Sequence, residues 1–578
     1  MRVARAVAFA AAACGAASAE VREAAATRGT EANPPLWPKS VHVFDPGEKH
    51  VAQTAARLSA LGSALGRARA AFLFKPGTYA EAIAVGPYVQ VLGLGAAPED
   101  VALAGGVAVV GGDDGAPRGA ENVHVPGDLA FAGGGLRRAV VGGAVRRCSH
   151  AANARLRGGA MLETQRSWLA RNVAFDAAAA VDVDGDAAAA EAVVGGGVNV
   201  AFVGCRGAPH TRIPRGGDPA CSYAARNATP VIAEKPYVTI RADGTYDLRV
   251  PAPRFASAGP DHSEDPAVDF GAVFVATDAV DSDVIQEKLD RGLHVVLAPG
   301  YYDLEDGLVL SFRGQVLLGL GHATLAAPPG GLPAVHVLPG AHGARVAGVV
   351  VDATAAPRGE TALVAWGDAA AAPGGDAGDA AHPGVMSDVL LRVCGPTLDA
   401  RVDAGLVVRS GHVVGDRVAV SRASTALDAA GEPRAVAGGC GLRVGIVVVG
   451  HGAAFYGLEV EHAGTDGVRW LGENGTALHA EATLPFDGTQ GSFGNGGHSG
   501  FAVGDFVRAH DALAVAVYGN FRDEAVVVRT AVRKSASPNA TFEGATAAHL
   551  GGLGTIAAVI NGDGAAVGPA GNKVSRWP

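Results

Sequence analysis

Hydrophobic positions in this chain fall in short runs rich in Val, Leu and Ala, broken by Gly, Pro, Asp or Asn. Helical spacing is rare. It predicts one helix over 50–69, where Leu58, Leu61 and Leu65 share a face, and a second over 283–291. Elsewhere the pattern predicts strands. Examples are 41–45, 101–103, 107–110, 123–125, 139–141 and 198–203 in the first half. The second half adds 346–351, 388–393, 405–408, 413–418, 442–449 and 455–460. The later runs recur about every 22 residues, the length of one solenoid coil. Short, fully apolar strands with few hairpin signals favour a parallel stack over an antiparallel sandwich. In such a stack each coil lies about 4.8 Å from the last, and Val suits the interior.

The pattern also repeats. Phe74-Lys-Pro-Gly-Thr-Tyr79 is followed by Val91-Leu-Gly-Leu-Gly95. About 225 residues later, Leu297-Ala-Pro-Gly-Tyr-Tyr302 is followed by Leu317-Leu-Gly-Leu-Gly321. Each copy is preceded by one of the two helices, which would cap the open end of a stack and cover its edge. The expected fold is all-β: two tandem right-handed parallel β-helices (single-stranded β-solenoids), each with a short N-terminal capping helix. The expected boundaries are a signal peptide at 1–19 and a disordered lead-in at 20–36. A first module with a bridging hairpin covers 37–250, a linker 251–268, a second module carrying the site 269–563, and a mobile tail 564–578.

Composition narrows this further. Gly is 83 of 578 residues with no Gly-X-Y period, which suits tightly turned coils and excludes collagen. The net charge of −10 argues against a nucleic-acid partner. Arg2 and Arg5, the apolar 6–13 and Ala17-Ser18-Ala19 have the order of a secretory signal. No membrane span is expected, so the protein is read as secreted, to the extracellular space or cell wall, and monomeric. Of the cysteines past the signal, Cys205 and Cys221 flank a Gly- and Arg-rich loop and are the expected bridge, with unpaired buried cysteines the alternative.

The doubled Pro-Gly-x-Tyr and Leu-Gly-Leu-Gly units, with Gln53 and Gln286 in the two helices, resemble the opening of pectate-lyase-like right-handed parallel β-helices. The tandem arrangement is similar to the exo-β-1,3-glucanases of glycoside hydrolase family 55. Thr229-Pro-Val-Ile-Ala-Glu-Lys-Pro-Tyr237 and Tyr456-Gly-Leu-Glu-Val-Glu-His462 resemble motifs of related secreted proteins of unsettled activity. The resemblance implies hydrolysis of an extracellular polysaccharide, most directly a β-glucan, with no cofactor and with inversion at the anomeric carbon.

Candidate chemistry concentrates at 451–490. Glu459 and Glu461 lie two apart on a strand and point to one face. Glu481 follows about one coil later, so it would stand beside one of them. Coupled carboxyls of this kind supply the acid and its partner in glycoside hydrolysis. Glu481 is the expected general acid, and Glu461 or Glu473 the base. Trp470 and Tyr456 would offer a flat apolar surface to a sugar ring, with His462, Arg469, Glu459 and Asp466 bonding its hydroxyls. Two alternatives stand beside this: a calcium-dependent polysaccharide lyase, for which Asp113, Asp114, Asp182, Asp184 and Asp186 are the metal candidates, and a glycan-binding protein without catalysis. Gln165-Arg-Ser-Trp168, Arg171 and Asn172 could line a groove between modules, Glu234 and Lys235 form an ion pair, and His382-Pro383 and Asp388 make a loop contact. No metal site is expected for the hydrolase.

Overall fold

The computed structural model describes residues 22–24, 30–61, 66–109, 118–126, 129–130, 135–143, 145–146, 148–157, 162–163, 167–176, 198–213, 222–353, 362–368, 376–395, 399–427, 433–436 and 440–578. The architecture is all-β and dominated by parallel sheets, as a β-helix requires. Strands up to Tyr223–Arg226 form parallel sheets of 9, 5 and 6 strands. Those from Val273–Ala276 onward form sheets of 15 and 8 strands. The two halves share no sheet among the described residues. Between them, Tyr237–Ile240 and Tyr246–Arg249 pair antiparallel, the bridging hairpin that the sequence predicts.

Seven strands position the functional side chains: β1 (Ser167–Arg171), β2 (Asn199–Val203), β3 (Gly384–Val393), β4 (Val413–Arg422), β5 (Ala454–Glu461), β6 (Gly475–Thr483) and β7 (His510–Gly519). Strands β3 to β7 are consecutive rungs of one parallel sheet. Each bends at a left-handed residue: Asp388, Arg417, Gly457, His479 and Ala514. These five positions align across the rungs, so every rung turns at the same place and sets two sheet faces at an angle.

Helices α1 (Val51–Ser59) and α2 (Ser282–Asp290) each follow the first strand of their half. In α2 the buried Gln286 both donates to the Val309 carbonyl and accepts from the Val309 N–H, closing the backbone of a coil edge. Gln53 on α1 is exposed and has no such role. The repeated tyrosines explain the repeated motif. Tyr79 donates its hydroxyl towards the carbonyls of Phe44 and Lys75, and Tyr302 does the same towards Ala276 and Ala298. Each tyrosine therefore ties its turn to the coil before it.

Several expectations change. The bridge is Cys394–Cys440, with Cys205 unbridged and half-buried against the Ala170 and Val203 carbonyls. Cys221 lies outside the described residues, as do 1–19 and all five aspartates proposed for calcium. Part of the lead-in is docked: Lys288 bonds Glu31, and Asn33 bonds the Tyr246 backbone. The tail ends in a strand, Val574–Trp577, paired antiparallel with Ala545–His549. Its alternation is too short to read as a strand from sequence. The linker contains Arg254–Ser257, which pairs antiparallel with Thr229–Ile232. No described helix is long and apolar enough to cross a membrane.

Replacing Tyr302 by Phe removes the donor from two buried carbonyls while keeping the ring. It should destabilise the protein by ~1–3 kcal/mol, read as a lower thermal or denaturant midpoint.

Candidate active site

The two halves meet across charges buried from solvent. Asp416 on β4 accepts from Arg137 at 2.5 Å and from Arg171 on β1 at 2.9 Å. Arg137 also grips Asp388 on β3 with two bonds of 2.7 Å. Arg171 donates to Glu234, and Lys235 to Glu121. Burial alone would raise the Asp416 carboxyl, but Arg137 and Arg171 overcome it and hold the group at about 2. Asp388 is likewise held well below the carboxylate range, chiefly by Arg137 and Lys235 against burial. Arg171 thus lines the groove as expected. Glu234 and Lys235, however, point to different partners rather than to each other, and Asp388 sits inside this network, not on a loop.

Beside the network lies a cleft of about 610 Å³, lined by residues of both halves. Its floor is set by strand register. Ala419, Glu459, Glu481 and Ala516 occupy one row across β4 to β7; Ser421, Glu461, Thr483 and Tyr518 occupy the next. Glu481 therefore stands beside Glu459, at the rung spacing of about 4.8 Å between backbones. Glu461 is paired instead with Thr483.

Each carboxyl has its own environment. Glu481 accepts from the Tyr518 hydroxyl on the next rung and, at 3.2 Å, from the Asn199 amide on β2 in the first half. Glu461 accepts from the Ser421 hydroxyl at 2.6 Å. Glu459 is pushed up to about 7, first by burial and then by the charge of Glu461, with Arg417 opposing. Next to Glu481, His479 shares a hydrogen bond of 2.9 Å with Ser167 on β1. Burial lowers its imidazole below the usual range, so the ring is neutral.

Of the nine side chains picked from the sequence, Glu459, Glu461 and Glu481 line the cleft. The other six sit elsewhere. Trp470 is fully buried among Phe455, Phe501 and His510, and so has no face to offer a sugar. Tyr456 is also buried, its hydroxyl donating to the Val231 carbonyl. Glu473 accepts from the Arg508 and Ala509 backbone N–H groups away from the cleft. Asp466 is buried under Arg533 and Arg469. His462 bonds the Leu484 carbonyl and lies edge-on to Phe486. Polar density along the chain cannot distinguish these places, because successive residues of a strand face opposite ways and the coil then turns to another face. Ser421, Tyr518 and Asn199 carry no signal in the sequence, whereas Ser167 lies in the segment read as lining the groove and does line the cleft. Their link to the glutamates is register across coils of unequal length and contact between halves, neither of which is written locally.

The parallel sheets are consistent with a β-helix fold, and the chain is similar to pectate-lyase-like β-helix proteins. Residues 273–482 match the LAM55 pectate lyase-like domain. The chain is 28% identical over 529 residues to an exo-beta-1,3-glucanase of Streptomyces sp. strain SirexAA-E / ActE, covering 86% of this chain and 81% of that one. The solved structure of sacteLam55A from Streptomyces sp. SirexAA-E superposes with a TM-score of 0.79 at 25% identity, over 96% of this chain and 99% of the other. A glutamate-to-alanine variant of that protein in complex with glucose matches with the same score and identity, over 97% and 99%.

The raised Glu459 gives a pH signature. A carboxyl that binds its proton more tightly when folded contributes stability below about 4.5, its unfolded value, and loses that contribution as pH rises through about 7. The buried histidines, held below their ordinary value by burial, act in the opposite sense near pH 5 to 6.5, so the Glu459 contribution is read as the difference between wild type and Glu459→Gln. That difference in thermal midpoint should shift against the wild type between pH 5 and pH 8, by the equivalent of ~1–3 kcal/mol.

Proposed function

We propose that this protein is a secreted glycoside hydrolase acting on an extracellular β-glucan, with Glu481 and Glu459 as its working carboxyl pair. The observation that carries this reading is their adjacency on neighbouring rungs at the floor of a cleft walled by both halves. The similarity to an exo-beta-1,3-glucanase supports the substrate class.

In this reading the two stacks are tandem right-handed parallel β-helices, with α1 and α2 capping their first coils. The boundaries are those drawn from the sequence, with an ordered tail, and the protein acts as a monomer. Glu481 is the general acid that protonates the leaving glycosidic oxygen. Glu459, poised near neutrality, takes the proton of the attacking water. Rung spacing alone would set the carboxyls about 5 Å apart, the range of retaining enzymes. Tyr518 lies on the far side of Glu481 from Glu459 and draws its carboxyl away. That supports the wider gap, room for a water between sugar and base, and inversion. Glu459 thus replaces Glu461 and Glu473 as the partner of Glu481.

Wild-type protein should release reducing sugar from a β-1,3-glucan, and Glu481→Gln should lower kcat/KM by ~10²–10⁴-fold. The same variant should keep most activity on an aryl β-glucoside whose leaving group needs no proton. Glu459→Gln should lose both activities. If Glu459→Gln alone keeps the aryl substrate, the two roles are exchanged. Retention of anomeric configuration in the first product seen by NMR, or no release from any glucan, rules the scheme out.

A further inference from the structure

The cleft contains a cation whose state differs from that of its neighbours. Arg137, Arg171, Lys235 and Arg392 also line it, and each is gripped by carboxylates: Asp388 and Asp416, Glu234 and Asp416, Glu121, and Asp352. Arg417 lines the same cleft, half-buried, yet forms no hydrogen bond or ion pair with any described residue. Its guanidinium nitrogens stay open to the cleft, where they are free to donate to whatever enters it.

Its backbone points the same way. Arg417 is the left-handed bend of β4, at φ 61°. That conformation is strained for a residue with a side chain, and the next rung has Gly457 at the aligned position. Glycine is the unstrained choice at this bend. Four of the five rungs nonetheless carry a side chain at this bend, Asp388, Arg417, His479 and Ala514, and Arg417 is the long cation among them, one rung before Glu459 and two before Glu481.

We infer that Arg417 binds substrate, its guanidinium donating to two hydroxyls of the neutral sugar ring that lies one rung before the Glu459–Glu481 pair. This rests on the hydrolase reading and adds a residue that reading does not require. A planar fork of donors suits two neighbouring oxygens. An acidic sugar would also suit a guanidinium, but Glu459, Glu461 and Glu481 stand within the next two rungs and repel an anion. A neutral ring with adjacent hydroxyls is what this surrounding accepts.

The test is Arg417→Gly, which removes the side chain and relaxes the bend. The thermal midpoint should stay level or rise. On β-1,3-glucan oligosaccharides KM should increase ~10–100-fold with a smaller change in kcat. Millimolar guanidinium chloride should restore part of the loss, and Arg417→Lys should fall between the two. Oligosaccharide binding is also measured by calorimetry in Glu481→Gln with and without Arg417→Gly, where a matching loss of affinity is expected. An active wild-type enzyme whose KM and affinity are unchanged by Arg417→Gly overturns the inference and leaves the hydrolase reading standing. A protein that binds the oligosaccharide through Arg417 but cleaves nothing does the reverse. Binding by a uronic-acid polymer only, or no binding by either polymer, overturns both.

Discussion

The carboxylate of Asp416 ties the two halves of this structure together. It is buried, it belongs to the second half, and two arginines of the first half close on it. Ions in such a place are stable only when fully paired, so the interface tolerates one arrangement of the halves and penalises others steeply. The cleft inherits its shape from this. Strands β1 and β2 reach Glu481 and His479 through Asn199 and Ser167 only while the halves stand at that separation. The side chains on the floor are thus held from the side, by groups of the first half.

The second constraint is the row of left-handed bends. A parallel sheet with straight rungs would present one flat face. Turning every rung at the same position makes a corner, and β3 to β7 make it with five different residues. Outward positions beyond the bend then line up from rung to rung. This is how Glu459 comes to stand beside Glu481 although 21 residues of buried core, turn and outer sheet separate them in the chain. Ala419 and Ala516 flank the pair in the same row, which leaves room above them.

Much of the fold was legible because it is local or repeated. Short Val runs, Pro-Gly turns and two copies of Pro-Gly-x-Tyr depend on nearest neighbours in the chain, and the tyrosine bonds of Tyr79 and Tyr302 show the motif acting within one coil. Of the cleft floor, only the acids were legible. Glu459, Glu461 and Glu481 are separated by strand alternation and one coil length, which a sequence displays. That Glu459 rather than Glu461 stands beside Glu481 follows from the register, which depends on the length of each outer loop. Trp470 and Tyr456 misled for a definite reason: aromatic rings beside acids read as a sugar platform, but on these strands they alternate into the core. The disulfide was also misplaced. Cys394 and Cys440 are 46 residues apart, so only the stacked coils bring them together.

Glu481 receives one hydrogen bond from each half, from Asn199 and from Tyr518. The order of synthesis gives that a consequence in time. Asn199 leaves the ribosome early, whereas Tyr518 belongs to one of the last coils, and domains fold as they emerge. The growing chain holds its first stack long before Glu481 has both of its donors. Until the final rungs have closed on the earlier ones, the carboxyl lacks the Tyr518 hydroxyl and the floor of the cleft is unfinished. The moment at which the cleft is completed is written into where in the chain that last hydroxyl falls.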